Sequence, residues 1–554
     1  MSQEITMNEN EQKTITVEES DLSNIRRTAY DSGNLMTLDK AKKVMDNAVE
    51  KAGEFLETSP EIAELIIKQL LKCDPEHLAG LQLLGLAKHR MGENAEAIEI
   101  IQTALDIDPT CADNHNNIGL AYSGLENHER AIEYIKKAIE INPEQYLFLN
   151  NLSLQYRIIG DYEKAIKTLR DALELCPNSP QMWTNLGGMY GELKDIEESI
   201  VCFKTALKYE PGYPAAHVDL AYAYHLLGDW KKGFEEYEWR FDYFSQMDFY
   251  KKSYDQTKRW NGRNSLEGKK ILIYAEQGLG DAIQFIRYVP QLKKKGAYVI
   301  VHCNPNLDAL LKRCDGVDET INRDIVNNKG DEFPDYDYQC SIMSLPYLLK
   351  DYELKGTPYI KPVTENFKQF VEEEYGKEEL KVGIVWAGSP AHPHDEKRSI
   401  PLKEFMPLYQ TEGVKIFSLQ FDTRPRKYGP GFDMGFEMRP GSDGKIVDLA
   451  DGCEEMQLVD LTKMIQSLED TCTILAGLDL VIACDTGVVH LAGAMGIPCW
   501  MCVSYNPDWR WGLEKETTSW YDSLKIFRQP QRGDWKSVFK NVKKELDETL
   551  LSNK

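Results

Sequence analysis

The stretch LDLVIACDTGVVHLAGAMG, residues 478–496, reads in succession as a buried strand, a tight turn and the start of a helix. The apolar run 478–484 predicts the strand, and the residues after the turn follow helical spacing. A helix leaves its first backbone N–H groups unpaired and carries partial positive charge at that end. Asp485, Thr486 and Gly487 therefore predict a phosphate-binding turn. An ordinary capped turn is the alternative for this motif alone.

A second unit of the same kind lies about two hundred residues upstream. The apolar strand 271–275 leads into the glycine turn 278–280, and an amphipathic helix then opens with Asp281. Further strand signals follow at 298–301, 381–385 and 414–418 and alternate with helical patterns. These patterns predict parallel sheets covered on both faces, in which ligands bind outside the carboxyl ends of the strands.

The composition predicts a multidomain cytoplasmic protein. A chain of 554 residues holds roughly three or four domains. Its 65 Lys and Arg residues against 89 Asp and Glu residues give a net charge of -24, which disfavours nucleic acids and anionic membranes as partners. Twelve cysteines without framework spacing, and no charged-then-apolar leader at Met1, indicate a reducing compartment. No apolar run approaches the roughly 18 residues of a membrane span.

Two local clusters could suggest a metal, and we predict none. Cys499 and Cys502 have the spacing of a redox motif, but they lie in an apolar run and are interpreted as buried strand residues. His392 and His394 stand beside Asp395, where no fourth ligand completes a site. A polar loop is the preferred interpretation.

The first half of the chain carries a strict period of 34 residues. Prolines recur at this interval, namely Pro75, Pro109, Pro143, Pro177 and Pro211. Small residues and tyrosines keep the same interval, and the pattern resembles the tetratricopeptide repeat. The resemblance implies an all-α solenoid of stacked helix pairs, which we expect at residues 36–241. An acidic, disordered segment at 1–35 precedes it, and a connecting segment at 242–264 follows.

One track of the expected concave groove is visible in the sequence. Asn117, Asn151 and Asn185 lie 34 residues apart. An amide side chain both donates and accepts hydrogen bonds, so such a ladder can hold an extended peptide of any sequence. The track resembles the asparagine ladder of O-linked N-acetylglucosamine transferase. The alternative is that Asn is simply common at this position of the repeat.

The second half, from about residue 265 to 545, resembles the heptosyltransferase-like glycosyltransferases. The resemblance depends on a set of short motifs, Gly278-Leu279-Gly280-Asp281, Val385-Trp386-Ala387-Gly388-Ser389, Lys397-Arg398-Ser399-Ile400-Pro401, Ser418-Leu419-Gln420, Asp485-Thr486-Gly487 with His490, and Pro507-Asp508-Trp509-Arg510-Trp511. It implies a GT-B fold of two facing Rossmann-like domains. The acceptor-side domain would span 265–375 and the donor-side domain 376–530, with a C-terminal helix at 531–554 that crosses back.

The resemblance also implies an inverting transfer of a hexosyl- or heptosyl-type sugar from a nucleotide-sugar, without a metal or other cofactor. Asp281 matches the position of the family's base, which removes the proton of an acceptor hydroxyl as it attacks. A helix-capping role is the alternative for Asp281. Glu276 and Gln277 are larger than the residues that many relatives carry before the glycine turn. Heptose is therefore not implied as the sugar.

The remaining motif residues are expected to bind the donor. Because the leaving diphosphate gains negative charge, Thr486 and Gly487 would supply N–H donors, and Lys397 and Arg398 would supply cations. The predicted donor-binding set is Gly388, Ser389, Lys397, Arg398, Gln420, Asp485, Thr486, Gly487, His490, Trp509 and Arg510. Trp509 and Arg510 would stack on a base or sugar and pair with phosphate, with interdomain packing as the alternative.

These observations together predict a glycosyltransferase that modifies a polypeptide held in the repeat groove. Two alternatives stay open. One is an interaction scaffold whose nucleotide-sugar-binding half does not catalyse. The other is an enzyme that acts on a glycan or a lipid-linked acceptor and uses its repeats for assembly.

Overall fold

The computed structural model describes residues 35–322, 334–362, 366–389, 395–420, 426–427, 433–434, 456, 458–461, 464–465 and 467–552. The chain divides into two units, one of residues up to 193 together with 201–211, and one of residues 194–200 together with 212–554. The disordered segment predicted at 1–35 lies outside the described residues apart from residue 35, and so do His392 and His394.

The first unit is built from packed helix pairs, and each period of 34 residues is filled by a single pair. Helices α1 to α10 are Leu35–Phe55, Pro60–Cys73, Leu78–Arg90, Asn94–Ile107, Ala112–Gly124, His128–Ile141, Tyr146–Ile158, Tyr162–Leu175, Pro180–Glu192 and Ile196–Tyr209, the last of which is shared with the second unit. Alanines of the small-residue tracks, such as Ala97 and Ala131, are fully buried. A β-carbon at Gly85 would lie 2.3 Å from Cγ1 of Ile101. Small side chains at the periodic positions therefore permit the close helix packing.

Four further helices belong to the second unit: α11 to α14 at Pro214–Leu226, Trp230–Tyr237, Arg240–Tyr243 and Gln246–Ser253. We expected the solenoid at 36–241 and a connecting segment at 242–264; residues 212–264 lie in the unit that holds the sheets. The reason is an apolar face, because Phe234 and Tyr237 are buried in one core with Ile271 and Phe285. Trp260 lies in the same core.

A four-stranded parallel sheet follows, with the order β3-β2-β1-β4. Its strands are β1 Lys270–Tyr274, β2 Tyr298–Cys303, β3 Glu319–Asn322 and β4 Tyr338–Ser341. Ile271 pairs with Val299 on one side and with Tyr338 on the other. Helices α15 to α18 are Leu279–Phe285, Val289–Lys294, Pro305–Lys312 and Leu345–Leu349. The predicted order of strand, glycine turn and helix is present at 270–285.

The second sheet has six parallel strands in the order β12-β11-β10-β5-β6-β9. These strands are β5 Leu380–Val385, β6 Val414–Ser418, β9 Val459–Asp460, β10 Leu480–Cys484, β11 Cys499–Val503 and β12 Leu524–Arg528, and the short strands β7 Arg426–Lys427 and β8 Asp433–Met434 pair separately. Helices α19 to α24 are Asn366–Tyr375, Asp395–Arg398, Met406–Tyr409, Leu468–Leu475, Gly487–Met495 and Trp535–Ser552. Every residue of β10 and β11 is buried, as expected for a parallel sheet covered on both faces.

The C-terminal helix differs from its prediction. We expected it to cross back to the first domain, whereas its buried residues lie in the core of the second sheet. The rings of Phe539 and Phe405, for example, have centroids 4.5 Å apart. The apolar stripe of α24 is satisfied locally, because it covers the sheet that its own strands form.

The predicted all-α repeats and parallel-sheet α/β content are therefore confirmed, while the GT-B arrangement stays a prediction. Within the described ranges, every helix is too short or too polar to cross a lipid bilayer.

Candidate functional site

The two predicted turns, one after β1 and one after β10, lie against each other. A β-carbon at Gly280 would lie 2.7 Å from Cδ2 of His490, and one at Gly487 would lie 3.9 Å from the backbone nitrogen of Gly280. Helices α15 and α23 therefore begin side by side. Glycine at 280 is what permits this approach, because any larger residue would meet the imidazole.

Thr486 is the N-terminal cap of α23, and its side chain makes no capping hydrogen bond. Its Oγ1 is buried and has no hydrogen-bond partner among the residues that the structure describes. A buried hydroxyl without a partner is costly in a native structure. It lies at a helix N-terminus, where backbone N–H groups favour an anion. This turn therefore has the chemistry of an oxyanion-binding site.

Arg398 brings a positive charge to the same turn. Its Nη1 donates to the backbone oxygen of Asp485 at 3.0 Å, and its Nε donates to Asp395 at 3.1 Å. A β-carbon at Gly388 would lie 2.2 Å from Nη2, so the guanidinium rests directly on the loop after β5. Lys397 and Ser389, the other predicted ligands of this region, are exposed.

Asp281 uses its two carboxylate oxygens in different ways. Oδ2 accepts the backbone N–H of Gly278 at 2.8 Å, which is the capping contact of the alternative interpretation. Oδ1 forms an ion pair with Nη2 of Arg510. Burial raises the pKa of Asp281 above its ordinary value, and the guanidinium of Arg510 opposes that rise. Asp281 is thus both a capping residue and a carboxylate of increased basicity beside the second turn.

Arg510 contacts α15, the helix after β1, through two of its three acceptors. Besides Asp281, it pairs with Asp508 at 2.9 Å and donates from Nε to Oε1 of Gln284 at 2.6 Å. Gln284 and Asp508 were not predicted as partners of Arg510. Gln284 lies three residues after Asp281, on the same helix face, which is the signal that could have found it.

Trp509 is packed inside the second unit. Its ring is 6% exposed and stacks on His225 of α11 with a centroid distance of 4.3 Å. The guanidinium of Arg510 lies 4.1 Å from its centroid on the indole. These contacts are those of the packing alternative, and the predicted stacking of Trp509 on a base or sugar stays a prediction.

Two other predicted donor ligands have structural partners. His490 is buried, its Nδ1 lies 2.9 Å from the hydroxyl of Tyr521, and burial lowers its pKa well below the ordinary range. A neutral imidazole therefore faces Gly280. Gln420 accepts the backbone N–H groups of Trp386 and Ala387 at 3.1 and 2.9 Å, which fixes the loop after β5.

Asp485 has a strongly changed acidity. Burial is the main cause that raises its pKa, to about 6, and the nearby charge of Asp508 adds to it. Arg398 and Arg510 oppose the rise. Since burial penalises its charged form, this carboxyl group can carry a proton at mildly acidic pH, at the turn where we expect phosphate.

The asparagine ladder links neighbouring repeats. Nδ2 of Asn151 donates to Oδ1 of Asn116 at 3.0 Å, and Nδ2 of Asn185 donates in the same way to Asn150 at 3.0 Å. Asn116, in turn, donates to Oδ1 of Asn117 at 3.4 Å. The ladder residues are half-buried and therefore have a structural role of their own, whatever else they bind.

Nowhere in the described ranges do three or more His, Cys, Asp or Glu side chains form a group that could hold a metal ion. Cys499 and Cys502 lie in β11 as predicted, and burial raises the pKa of both thiols.

Models of the tetratricopeptide repeat match residues 79–111, 112–145, 134–167, 153–194 and 180–213. Protein FlbA of Caulobacter vibrioides is 25% identical over 311 residues, which cover 51% of this chain and 47% of FlbA. The chain thus spans about half the length of that curated relative.

Among solved structures, a thermophilic TPR protein of Thermus thermophilus is 21% identical with a TM-score of 0.31, and the match covers 32% of this chain and 98% of that one. YrrB, described as a TPR protein with an unusual peptide-binding site, is 17% identical with a TM-score of 0.26, over 34% of this chain and 98% of its own.

Proposed function

We propose that this protein transfers a sugar from a nucleotide-sugar to a polypeptide, with inversion at the anomeric carbon. One observation carries the proposal. A carboxylate of raised pKa, Asp281, lies in the first turn of one helix. That helix lies beside a second helix, whose N-terminal turn holds the hydroxyl of Thr486, without a hydrogen-bond partner in the described part of the chain. A base and an oxyanion site at adjoining helix starts are what sugar transfer from a diphosphate needs.

The donor would bind with its diphosphate on the turn Asp485–Gly487. The hydroxyl of Thr486 and the first N–H groups of α23 would donate to phosphate oxygens, and Arg398 would supply positive charge from the loop after β5. This position is the carboxyl end of β10, where open parallel sheets bind ligands.

In the transfer step, an acceptor hydroxyl attacks the anomeric carbon and gives its proton to Asp281. The bond between that carbon and the phosphate oxygen breaks, and the nucleoside diphosphate leaves with the bonding electrons. Burial makes Asp281 a better base than an exposed aspartate, because it disfavours the charged form.

Arg510 has to change partner for this step, since it occupies Oδ1 of Asp281 while Gly278 occupies Oδ2. Asp508 already holds the other arm of the guanidinium, and a diphosphate would offer it a stronger anion. In this proposal, donor binding draws Arg510 from Asp281 and releases the base when the leaving group is in place.

The acceptor would be an extended polypeptide in the groove of the repeats. Nδ2 of Asn151 and Nδ2 of Asn185 already donate to the preceding repeat, and in this proposal their carbonyl oxygens would accept from peptide N–H groups. A peptide or protein partner is also the usual ligand of this kind of array.

The first experiment is a thermal-shift screen of the full chain against UDP-, GDP-, ADP- and CMP-sugars. A ligand at a hundred times its dissociation constant stabilises the folded state by about 2.7 kcal/mol. The shift should shrink in Thr486→Val, which removes the hydroxyl and keeps the shape. Thr473→Val is the matched control, since that hydroxyl bonds within its own helix to the backbone of Glu469 at 3.0 Å.

If Thr486→Val and Thr473→Val gave equal thermal shifts with the donor, the donor would bind away from the turn at Thr486. A screen without any shift would favour a repeat scaffold over an enzyme.

A further inference from the structure

Two side chains from the helices that precede the first sheet reach the turn that carries Asp281. Tyr237 is the last residue of α12, and Arg240 is the first residue of α13. Both contact the pair Glu276-Gln277, which directly precedes Gly278. This pair is where the sequence departs from the resembling family.

Arg240 and Glu276 form a fully buried ion pair, with both side chains at 0% exposure. Nη2 and Nε of Arg240 donate to the same carboxylate oxygen at 2.6 and 3.1 Å. Nη1 donates to the backbone oxygen of Tyr237 at 3.1 Å and to Glu238 at 2.8 Å. Each nitrogen of the guanidinium therefore has a hydrogen-bond partner, and Arg240 holds Glu276 through one carboxylate oxygen.

A buried ion pair of this kind seldom adds net stability, because removing two charges from water costs about as much as their attraction returns. Its better-attested use is to specify one arrangement over others. Glu276 lies in the connection between β1 and α15.

Gln277 is held in an unusual backbone conformation. Its φ is +62°, in the left-handed region that a residue other than glycine adopts only at a cost. Its Nε2 donates to the hydroxyl of Tyr237 at 2.9 Å. The next residue, Gly278, is the one whose N–H group bonds Oδ2 of Asp281. Tyr237 thus holds Gln277 in its strained conformation. Gln277 directly precedes Gly278, whose N–H group donates to Asp281.

We propose that Tyr237 and Arg240 are positioning residues for Asp281. They fix the path of Glu276 to Gly278, and through the Gly278 hydrogen bond they set the direction of the carboxylate. The inference rests on the proposed function. It assigns the helices at 230–243 a role in positioning the catalytic carboxylate.

The test uses the full chain with Tyr237→Phe, which removes one hydroxyl and leaves the ring in the core. Tyr288→Phe is the matched control, because that buried hydroxyl has no hydrogen-bond partner within the described residues. Tyr237→Phe should speed amide hydrogen exchange in the peptide 276–285 and lower kcat about tenfold, with the KM for the donor unchanged. Tyr288→Phe should change none of these quantities.

A second variant separates tethering from general destabilisation. Gln277→Gly removes the same hydrogen bond and adopts a positive φ without strain. If the hydrogen bond between Tyr237 and Gln277 is what positions Asp281, the double variant Tyr237→Phe/Gln277→Gly should lower kcat no further than Tyr237→Phe alone.

The positioning role would be overturned if the losses of kcat in Tyr237→Phe and Gln277→Gly were additive in the double variant. It would also be overturned if Tyr237→Phe had the same kcat as Tyr288→Phe in an active enzyme. Neither outcome would remove the proposed function. A wild-type protein that binds donors and transfers no sugar would instead remove the proposed function, and the positioning role with it.

Discussion

Gly280 and His490 face each other across the two helix starts, and a β-carbon on the glycine would lie 2.7 Å from Cδ2 of the imidazole. The ring cannot move aside easily, because it is buried and its Nδ1 lies 2.9 Å from the hydroxyl of Tyr521. The spacing of the two turns therefore depends on the absence of a side chain at position 280.

Gly280→Ala should destabilise the second unit by about 1–3 kcal/mol, because the added methyl group overpacks this contact. Denaturant unfolding checks the value. Gly212→Ala in the same unit is the control, since its β-carbon would meet nothing closer than 4.0 Å and should change stability by less than about 0.5 kcal/mol. Adding His490→Ala should recover some of the loss in Gly280→Ala. An equal loss of stability in Gly280→Ala and Gly212→Ala would show that the imidazole of His490 does not obstruct a side chain at position 280.

Asp281→Asn should reduce sugar transfer by about 10²–10⁴-fold without weakening donor binding, because it removes a base and no phosphate ligand. Release of nucleoside diphosphate measures transfer, and calorimetry measures binding.

Asp470→Asn is the matched control for Asp281→Asn, because Asp470 holds the same capping-box position in α22 as Asp281 holds in α15. Both variants lose a capping carboxylate, at about 1 kcal/mol each. If Asp470→Asn reduced transfer as much as Asp281→Asn, capping alone would account for the effect.

Asp485 predicts a pH-dependent stability. Its folded-state pKa is raised to about 6, so the folded protein binds more protons than the unfolded chain between about pH 4 and pH 6. The contribution of Asp485 to stability should therefore fall through this range as pH rises. Asp485→Asn, which cannot ionise, should be more stable than wild type by an amount that grows over the same range and then stays constant at up to about 3 kcal/mol. Thermal unfolding from pH 4 to 8 tests this.

The opposite sign is expected at Asp161, where hydrogen bonds to Lys164 lower the pKa. Asp161→Asn should be less stable than wild type by an amount that grows as pH rises towards about 4 and stays constant above that pH. A difference between Asp485→Asn and wild type that does not vary with pH would contradict the raised pKa.

Asn151→Ala should destabilise the repeats by about 1–3 kcal/mol, since it removes the donor to the buried side chain of Asn116. Gln102→Ala removes an exposed hydrogen bond to Asp106, 3.2 Å long, and should cost far less. Far-UV circular dichroism during urea unfolding compares the two. If Asn151→Ala were as stable as Gln102→Ala, the hydrogen bond from Asn151 to Asn116 would not connect the repeats in solution.

Local patterns in the sequence were sufficient for the secondary structure around the site. The 34-residue period predicted the helix pairs, because small residues must recur wherever helices pack closely. The runs 271–280 and 478–487 predicted strand, turn and helix start from apolar residues and glycines that are neighbours in the chain. The same local patterns put Asp281, Thr486 and Gly487 at predicted helix starts.

The partners of these residues followed from tertiary structure. Arg510 bonds Asp281 across 229 positions, Arg240 bonds Glu276 across 36, and Trp509 stacks on His225 from an early helix. A charged or aromatic side chain is compatible with many partners, and nothing in its neighbouring residues selects one. The sequence determined which groups stand at the helix starts, through the local preferences of strands, turns and helix caps. Packing of the sheets and helices decided which charges those groups meet, because that choice depends on burial and distance between segments far apart in the chain.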